Sequence, residues 1–160
     1  MSDKPFTGGC QCGAVRFRAE RLGRASLCHC RMCQKAFGAF FGPYVDAFGL
    51  EWTRGAPKHF ASSNMARRGF CGDCGTQLTF EVLEADPGQT VNVAIGAFDD
   101  PAAIRPTIQI GLEDKLPFAD HLSGLPTRSA EEHEASKPYY AQVRSNQHPD
   151  HDTDSWIPHG

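Results

Sequence analysis

The chain has 160 residues, 40% hydrophobic and 22% charged, with 16 Lys plus Arg against 19 Asp plus Glu and a net charge of -3. That length is about one domain and is enough to bury a core. No apolar run approaches the roughly 18–20 residues of a membrane span, and a mildly acidic chain is poorly suited to the phosphate neutralisation on which non-specific nucleic-acid binding depends. The start, Met1-Ser2-Asp3-Lys4-Pro5, lacks the apolar core of a secretory signal, so the expectation is a soluble cytoplasmic protein with no membrane or nucleic-acid partner.

In chain order, Ala14 to Arg18 alternates, with Val15 and Phe17 expected in a core and Arg16 and Arg18 in solvent. A turn or so of helix is expected over Met32 to Phe37. Ala39 to Val45 is aromatic but interrupted by Gly42-Pro43, which suggests two short strands or a bulged edge. Leu50 to Trp52 and Lys58 to Ala61 are short strand candidates on either side of the turn signal Gly55-Ala56-Pro57. Gln77 to Leu83 and Thr90 to Ala97 are the clearest strands, with Asp86-Pro87-Gly88 between them as a hairpin turn. Thr107 to Leu112 adds another strand. Ser129 with Glu132 matches a capping box, placing a helix start near Ala130 that Pro138 should end or kink. From Ser145 onward the chain is polar and rich in His, Asp and Pro, and reads as an extended tail, ordered only if it docks.

Seven cysteines is a high and odd number, unlike a secreted disulfide framework, and in a reducing compartment clustered cysteines more often bind metal than pair. They fall in three clusters: Cys10-Gln11-Cys12, Cys28-His29-Cys30-Arg31-Met32-Cys33, and Cys71-Gly72-Asp73-Cys74. A C-x-x-C pair can clasp one tetrahedral zinc from a tight turn, to which Gly72 and Gly75 are suited. It supplies two ligands, and Cys10 and Cys12, at i and i+2 on an extended segment, point the same way and supply two more. The division is therefore a closed structural Cys10/Cys12/Cys71/Cys74 zinc site and a compact triplet, Cys28, Cys30 and Cys33. Three ligands plus one open position is the pattern of a catalytic zinc. The alternatives are a second structural zinc with a fourth ligand from elsewhere, buried or redox-active thiols, and His29 as the fourth ligand.

These segments resemble the glutathione-dependent formaldehyde-activating enzyme family, whose domain is shared with centromere protein V. The resemblance runs through Gly8-Gly9-Cys10-Gln11-Cys12-Gly13-Ala14-Val15-Arg16-Phe17, the triplet with Gln34-Lys35, Ser62-Ser63, Arg68-Gly69-Phe70-Cys71-Gly72-Asp73-Cys74-Gly75, Gln77-Leu78, Asp114-Lys115-Leu116-Pro117-Phe118 and Gly124-Leu125-Pro126. It covers residues 5–128, leaving 129–160 as a C-terminal helix and polar tail. It implies a mostly β, single-domain, Mss4-like fold of small antiparallel sheets held by zinc, and the same division of metal sites. It also implies a carbon–sulfur lyase that joins formaldehyde to glutathione as S-hydroxymethylglutathione, and catalyses the reverse. Fold and metal transfer more safely than reaction. Where the family often carries His-Ile-aromatic, this chain has Gln109-Ile110-Gly111, so a large side chain is missing near the expected site.

A zinc held by three thiolates carries a formal charge of about -1, and its open position is soft and suits sulfur. Either a substrate thiolate or the alkoxide developing on the aldehyde could take that position, and the sequence leaves both open. Glutathione carries two carboxylates, so Arg31, Lys35, Arg67 and Arg68 are candidate contacts, with Ser62 and Ser63 as hydrogen-bonding candidates. Offsetting the thiolate charge is the other role open to the cations. Phe37, Phe40, Phe41 and Tyr44 pack a core or wall off the open zinc. His148, Asp150, His151 and Asp152 are a weaker metal candidate in the tail. Two non-catalytic alternatives remain: a zinc scaffold for a protein partner, and a thiol redox or metal sensor. The oligomeric state is not legible.

Overall fold

The computed structural model describes residues 5–84 and 90–157. The protein is mostly β. One sheet holds β1 (Phe6–Gly9), β2 (Arg16–Ala19) and β5 (Glu51–Arg54) in that order. The larger, seven-stranded sheet is built from β3 (Arg21–Cys28), β4 (Gly42–Phe48), β6 (Lys58–Ala61), β7 (Ala66–Phe70), β8 (Gln77–Val82), β9 (Val91–Ala94) and β10 (Ile108–Ile110), in the order β10-β3-β4-β9-β8-β7-β6. All pairings are antiparallel except β10 with β3, which is parallel. Two α-helices, α1 (Arg31–Phe37) and α2 (Ala130–Tyr140), and four short 3-10 segments complete the described residues.

The core lies between the sheets. Phe17 is fully buried, with its ring edge-on to Trp52 and Phe98, and Leu78, Val45 and Val93 close around it. The aromatic pairs add to the area that these side chains remove from water. β8 and β9 pair as the expected hairpin, while Asp86-Pro87-Gly88 lies outside the described residues. Ile95–Ala97, expected to extend β9, turns as a 3-10 segment instead.

Three expectations are corrected. β4 is an interior strand, not an edge. Pro43 is tolerated because it stands at the strand's start, where it pairs with Leu27 on β3 and the β9 pairing has not begun. Arg16, expected in solvent, is 3% exposed. Its Nη1 and Nη2 donate to Asp99 at 2.8 and 2.6 Å, and its Nε and Nη2 donate to Asp152 at 3.1 and 2.7 Å. Burial alone would raise the Asp99 carboxyl, but hydrogen bonds from Arg16 and Thr7 override it and hold Asp99 below its ordinary range. Thirdly, Pro138 does not end α2, which runs two residues beyond it; the helix starts at the full Ser129–Glu132 capping box.

The tail docks. The His148 N–H donates to the Gln11 carbonyl at 2.7 Å, and its ring is buried edge-on to Trp156. Arg54 on β5 donates to the Thr153 carbonyl and to Thr153 Oγ1. Residues 148–156 thus lie across the small sheet and the loop that carries Cys10 and Cys12.

Candidate metal centres and substrate cavity

Two near-identical loops carry the first cysteine set. In one, the Cys10 N–H donates to the Val15 carbonyl at 2.9 Å and Gly13 N–H to Cys10 carbonyl at 3.1 Å; in the other, Cys71 N–H donates to Thr76 carbonyl at 2.9 Å and Gly75 N–H to Cys71 carbonyl at 3.0 Å. Gly13 and Gly75 adopt φ of 76° and 78°, which non-glycine residues rarely reach. Cys10 and Cys12 therefore sit on a tight turn rather than on the extended segment expected. Gly72 needs no positive φ; a Cβ there would press on the Lys58 side chain. The four sulfurs converge, with Cys10 to Cys12 at 3.6 Å and Cys12 to Cys71 at 3.8 Å. Four thiolates about 2.3 Å from a tetrahedral zinc stand about 3.8 Å apart, so the donor set fits that ion.

Burial pushes the Cys10 thiol up to about 12. Burial acts the same way on Cys74, yet hydrogen bonds from the Thr76 side chain and backbone and from Cys12 prevail and bring it down to about 6. Backbone amides also reach the sulfurs, Val15 N–H to Cys10 Sγ at 3.2 Å and Asp73 N–H to Cys71 Sγ at 3.4 Å.

The second set, Cys28, Cys30 and Cys33, lies at the junction of β3 and α1. Cys28 ends the strand, Cys30 caps the helix with its Sγ accepting from the Cys33 N–H at 3.4 Å, and Cys33 sits in the first turn. All three sulfurs lie within 4.8 Å of one another, a spacing open to one soft ion. Among the described residues no fourth His, Cys, Asp or Glu ligand atom joins them, and the four tail candidates His148, Asp150, His151 and Asp152 form no such cluster. Burial pushes Cys28 up to about 12. Cys30 is also partly buried, but hydrogen bonds from the Cys33 backbone and from Cys28 and Cys33 bring it below its ordinary value.

The connecting loop is fixed from behind. Buried Gln34 donates from Nε2 to the His29 and Asp114 carbonyls at 2.7 and 2.9 Å. The His29 N–H donates to the Ile110 carbonyl at 2.8 Å. The His29 ring is 2% exposed, points its Nε2 at Gln109 Oε1, 2.9 Å away, and meets Phe41 edge-on. That places His29 behind the loop, outside the sulfur cluster. Gly111, at φ 66°, backs directly onto Cys30: a Cβ there would lie 2.9 Å from the Cys30 nitrogen. The large side chain absent from Gln109-Ile110-Gly111 therefore leaves no hole; the backbone itself packs against the cysteine.

A cavity of about 170 Å³ opens over the triplet, lined by Cys28, Cys30, Cys33, Tyr44, Phe80 and Ile110 among others. Met32 and Arg68 border both this cavity and a wider groove of about 490 Å³ that also holds Arg31, Lys35, Phe60 and Ser62. Of the four aromatics after the triplet, Tyr44 walls the cavity, Phe37 packs on Tyr44 at 5.2 Å, Phe41 packs on His29, and half-exposed Phe40 meets Phe118. Ser63 is a turn residue whose Oγ accepts from the Met65 N–H. Arg67 faces away and pairs with Glu81 at 2.6 Å. Arg68 is 3% exposed and donates to Ser62 Oγ, Tyr44 Oη and Cys33 Sγ at 2.9, 2.6 and 3.3 Å. Tyr44 thus takes the wall position open to it in the sequence, whereas Phe80 and Ile110 were not singled out as site residues; strand alternation opposite the triplet is the signal that could have found them.

A mostly β protein with a four-thiol clasp and a separate three-thiol centre under an apolar cavity defines the class. The family model described as glutathione-dependent formaldehyde-activating enzyme matches residues 5–114, and the chain belongs to that family. A crystal structure of a Rhodobacter sphaeroides protein, solved in a structural-genomics programme, aligns with a TM-score of 0.51 at 21% identity, covering 64% of this chain and 98% of that one; a likeness at that identity shows the fold. Among the described residues no helix is long and apolar enough to cross a membrane.

Proposed function

We propose that the chain is a zinc-dependent carbon–sulfur lyase that forms and cleaves an S-hydroxymethyl thiol adduct, with glutathione as the thiol. The observation that carries this reading is the triplet cavity meeting, at Met32 and Arg68, a groove that contains Arg31 and Lys35. Cys10, Cys12, Cys71 and Cys74 hold a structural zinc; Cys28, Cys30 and Cys33 hold the second. When bound there, zinc supplies a replaceable fourth position that favours sulfur as thiolate.

The protein's own groups do the rest. Arg31 and Lys35 draw the carboxylates of the thiol substrate into the groove, which leaves its sulfur directed at the cavity. Phe80, Ile110 and the Tyr44 ring exclude water, which strengthens the electrostatics within. In the forward direction the sulfur bonds to the aldehyde carbon, the C=O π pair moves to oxygen, and the thiol proton ends on that oxygen. The uncatalysed adduct forms readily, so positioning is the main contribution. Among the described residues no fourth protein ligand lies within reach of the triplet, which supports the reading of an open position; a stoichiometric protein partner without thiol–aldehyde activity would favour a zinc scaffold instead.

The test is NMR exchange between labelled formaldehyde and glutathione with zinc-loaded protein. Acceleration that disappears in Cys30→Ser, with one zinc per chain retained, supports the reading. In Lys35→Glu the KM for glutathione should rise about tenfold with kcat little changed, as for a uniform binding contact. No acceleration with both sites loaded refutes glutathione–formaldehyde chemistry.

A further inference from the structure

Arg68 stands on β7 between Arg67, which faces solvent, and Gly69, where the β7–β8 register shifts. Its guanidinium is spent inside the protein. Nε donates to Ser62 Oγ at 2.9 Å, Nη1 to Tyr44 Oη at 2.6 Å and Nη2 to Cys33 Sγ at 3.3 Å, and Cζ lies 5.0 Å from the Phe80 ring centroid. With 3% of its surface exposed, it has little left to offer a carboxylate in the groove. The two cysteine sets differ here. The four-thiol clasp receives backbone amides and the Thr76 hydroxyl, whereas the triplet has a full, permanent positive charge on one of its sulfurs.

We infer that Arg68 is a positioning residue of the three-cysteine centre, setting the Cys33 thiolate and offsetting the centre's negative charge so that an anionic sulfur can become the fourth ligand. The inference rests on the reading of the triplet as a zinc site. Three thiolates on a divalent ion leave a charge of about -1, and a fourth thiolate makes it about -2. In a half-buried cavity that growing charge is costly unless a cation stands against it. Arg68 brings the two values to about 0 and about -1. The same hydrogen bond removes electron density from Cys33 sulfur, which tightens neither the metal nor the substrate by contact but governs both through the ligand. Ser62 and Tyr44 hold the fork in the plane that reaches Cys33. Arg68 thus leaves the carboxylate-binding role to Arg31 and Lys35.

The test compares Arg68→Met, which keeps the bulk and removes the charge, with Arg68→Lys, in full-length protein loaded with zinc or cobalt. The retained zinc of the four-cysteine clasp is the internal control for folding. Chelator competition should release the triplet zinc of Arg68→Met about 10- to 100-fold more readily, the usual effect of losing a partner of a metal ligand, with Arg68→Lys falling between it and wild type. In the cobalt form, the sulfur-to-cobalt charge-transfer band should move to lower energy in Arg68→Met, because a thiolate without its donor gives up electrons more easily. Triplet affinity within twofold of wild type and an unmoved band would overturn the inference, and a rise in glutathione KM alone would return Arg68 to the substrate. If Arg68→Met does not fold, Ser62→Ala/Tyr44→Phe decides, since it removes two contacts of the guanidinium and leaves its charge. Because these two groups hold the fork toward Cys33, a loss of about threefold or more in triplet zinc affinity supports the positioning role, and a smaller loss overturns it. Both readouts are independent of turnover, so an inactive protein with the expected metal behaviour refutes the proposed reaction and leaves this inference standing.

Discussion

Removing the Asp99 carboxylate should destabilise the protein far more than removing Asp152, although both pair with the same arginine. Arg16 is buried, and the Asp99 side chain is 12% exposed against 56% for Asp152. Asp99→Ala leaves a buried guanidinium with one wet partner and also strips Thr7 Oγ1 of its acceptor. Breaking a buried pair from one side costs about 3–5 kcal/mol, whereas the largely solvated Asp152 bridge is worth about 0.2–1 kcal/mol. For a chain of this size 1 kcal/mol is about 2–4 °C in Tm, so Asp99→Ala should lower Tm by about 6–20 °C and Asp152→Ala by about 4 °C at most. Because Asp99 is depressed in the folded state, the pair contributes fully above the unfolded value near 3.9 and is lost only as pH falls through the lower folded value. Thermal melts at pH 7.5, with zinc held constant, therefore read the whole effect. Arg16→Met/Asp99→Ala should recover part of the loss, since no buried charge is then left unpaired. Equal losses for the two aspartates, or a loss under about 1 kcal/mol for Asp99→Ala, would falsify the burial argument.

Zinc affinity should rise with pH at both centres. In the metal-free protein Cys10 and Cys28, each pushed up to about 12, keep their protons near neutrality, and each must lose one to bind. Apparent affinity should therefore climb by about tenfold or more per pH unit at each centre between pH 6.5 and 8.5, measured by chelator competition; a flat profile would contradict it. Gly111→Ala places a side chain 2.9 Å from the Cys30 nitrogen in left-handed backbone. It should cost about 1–2 kcal/mol and halve the zinc content by emptying the triplet, while metal analysis still finds the four-cysteine zinc. Full occupancy of both sites would show that β10 yields and the cysteine does not.

Local chemistry made the metal sets readable. Ligand spacing lies within short stretches, so the two pairs and the triplet could be divided before any fold was known, and the capping box at Ser129 needs only three residues. Arg16 was misread because alternation assigns a face but not what covers it; its partners lie at positions 99 and 152. The docked tail escaped for the same reason: a polar composition describes a solvated segment equally well, and only the Gln11, Arg54 and Arg16 contacts distinguish them. Pro43 argued for an edge because nothing in sequence tells how many neighbours a strand has at its start. Arg68 was seen as a site residue, but which way it faces depends on the β7–β8 pairing and on Tyr44 from another strand.

The span between Arg16 and Asp152 bears on how the protein is made. The four-cysteine clasp joins loops about sixty residues apart and can close while the nascent chain is still being extended. The small sheet beside it keeps an arginine waiting for a partner 136 residues further along the chain. At about 5–20 residues per second, that is a delay of several seconds between metal capture and the covering of the first strands. During that interval the Cys10–Cys12 loop stands uncovered on one side, so zinc or a competing ion would meet this set of thiols more open than in the folded chain, where the tail covers it.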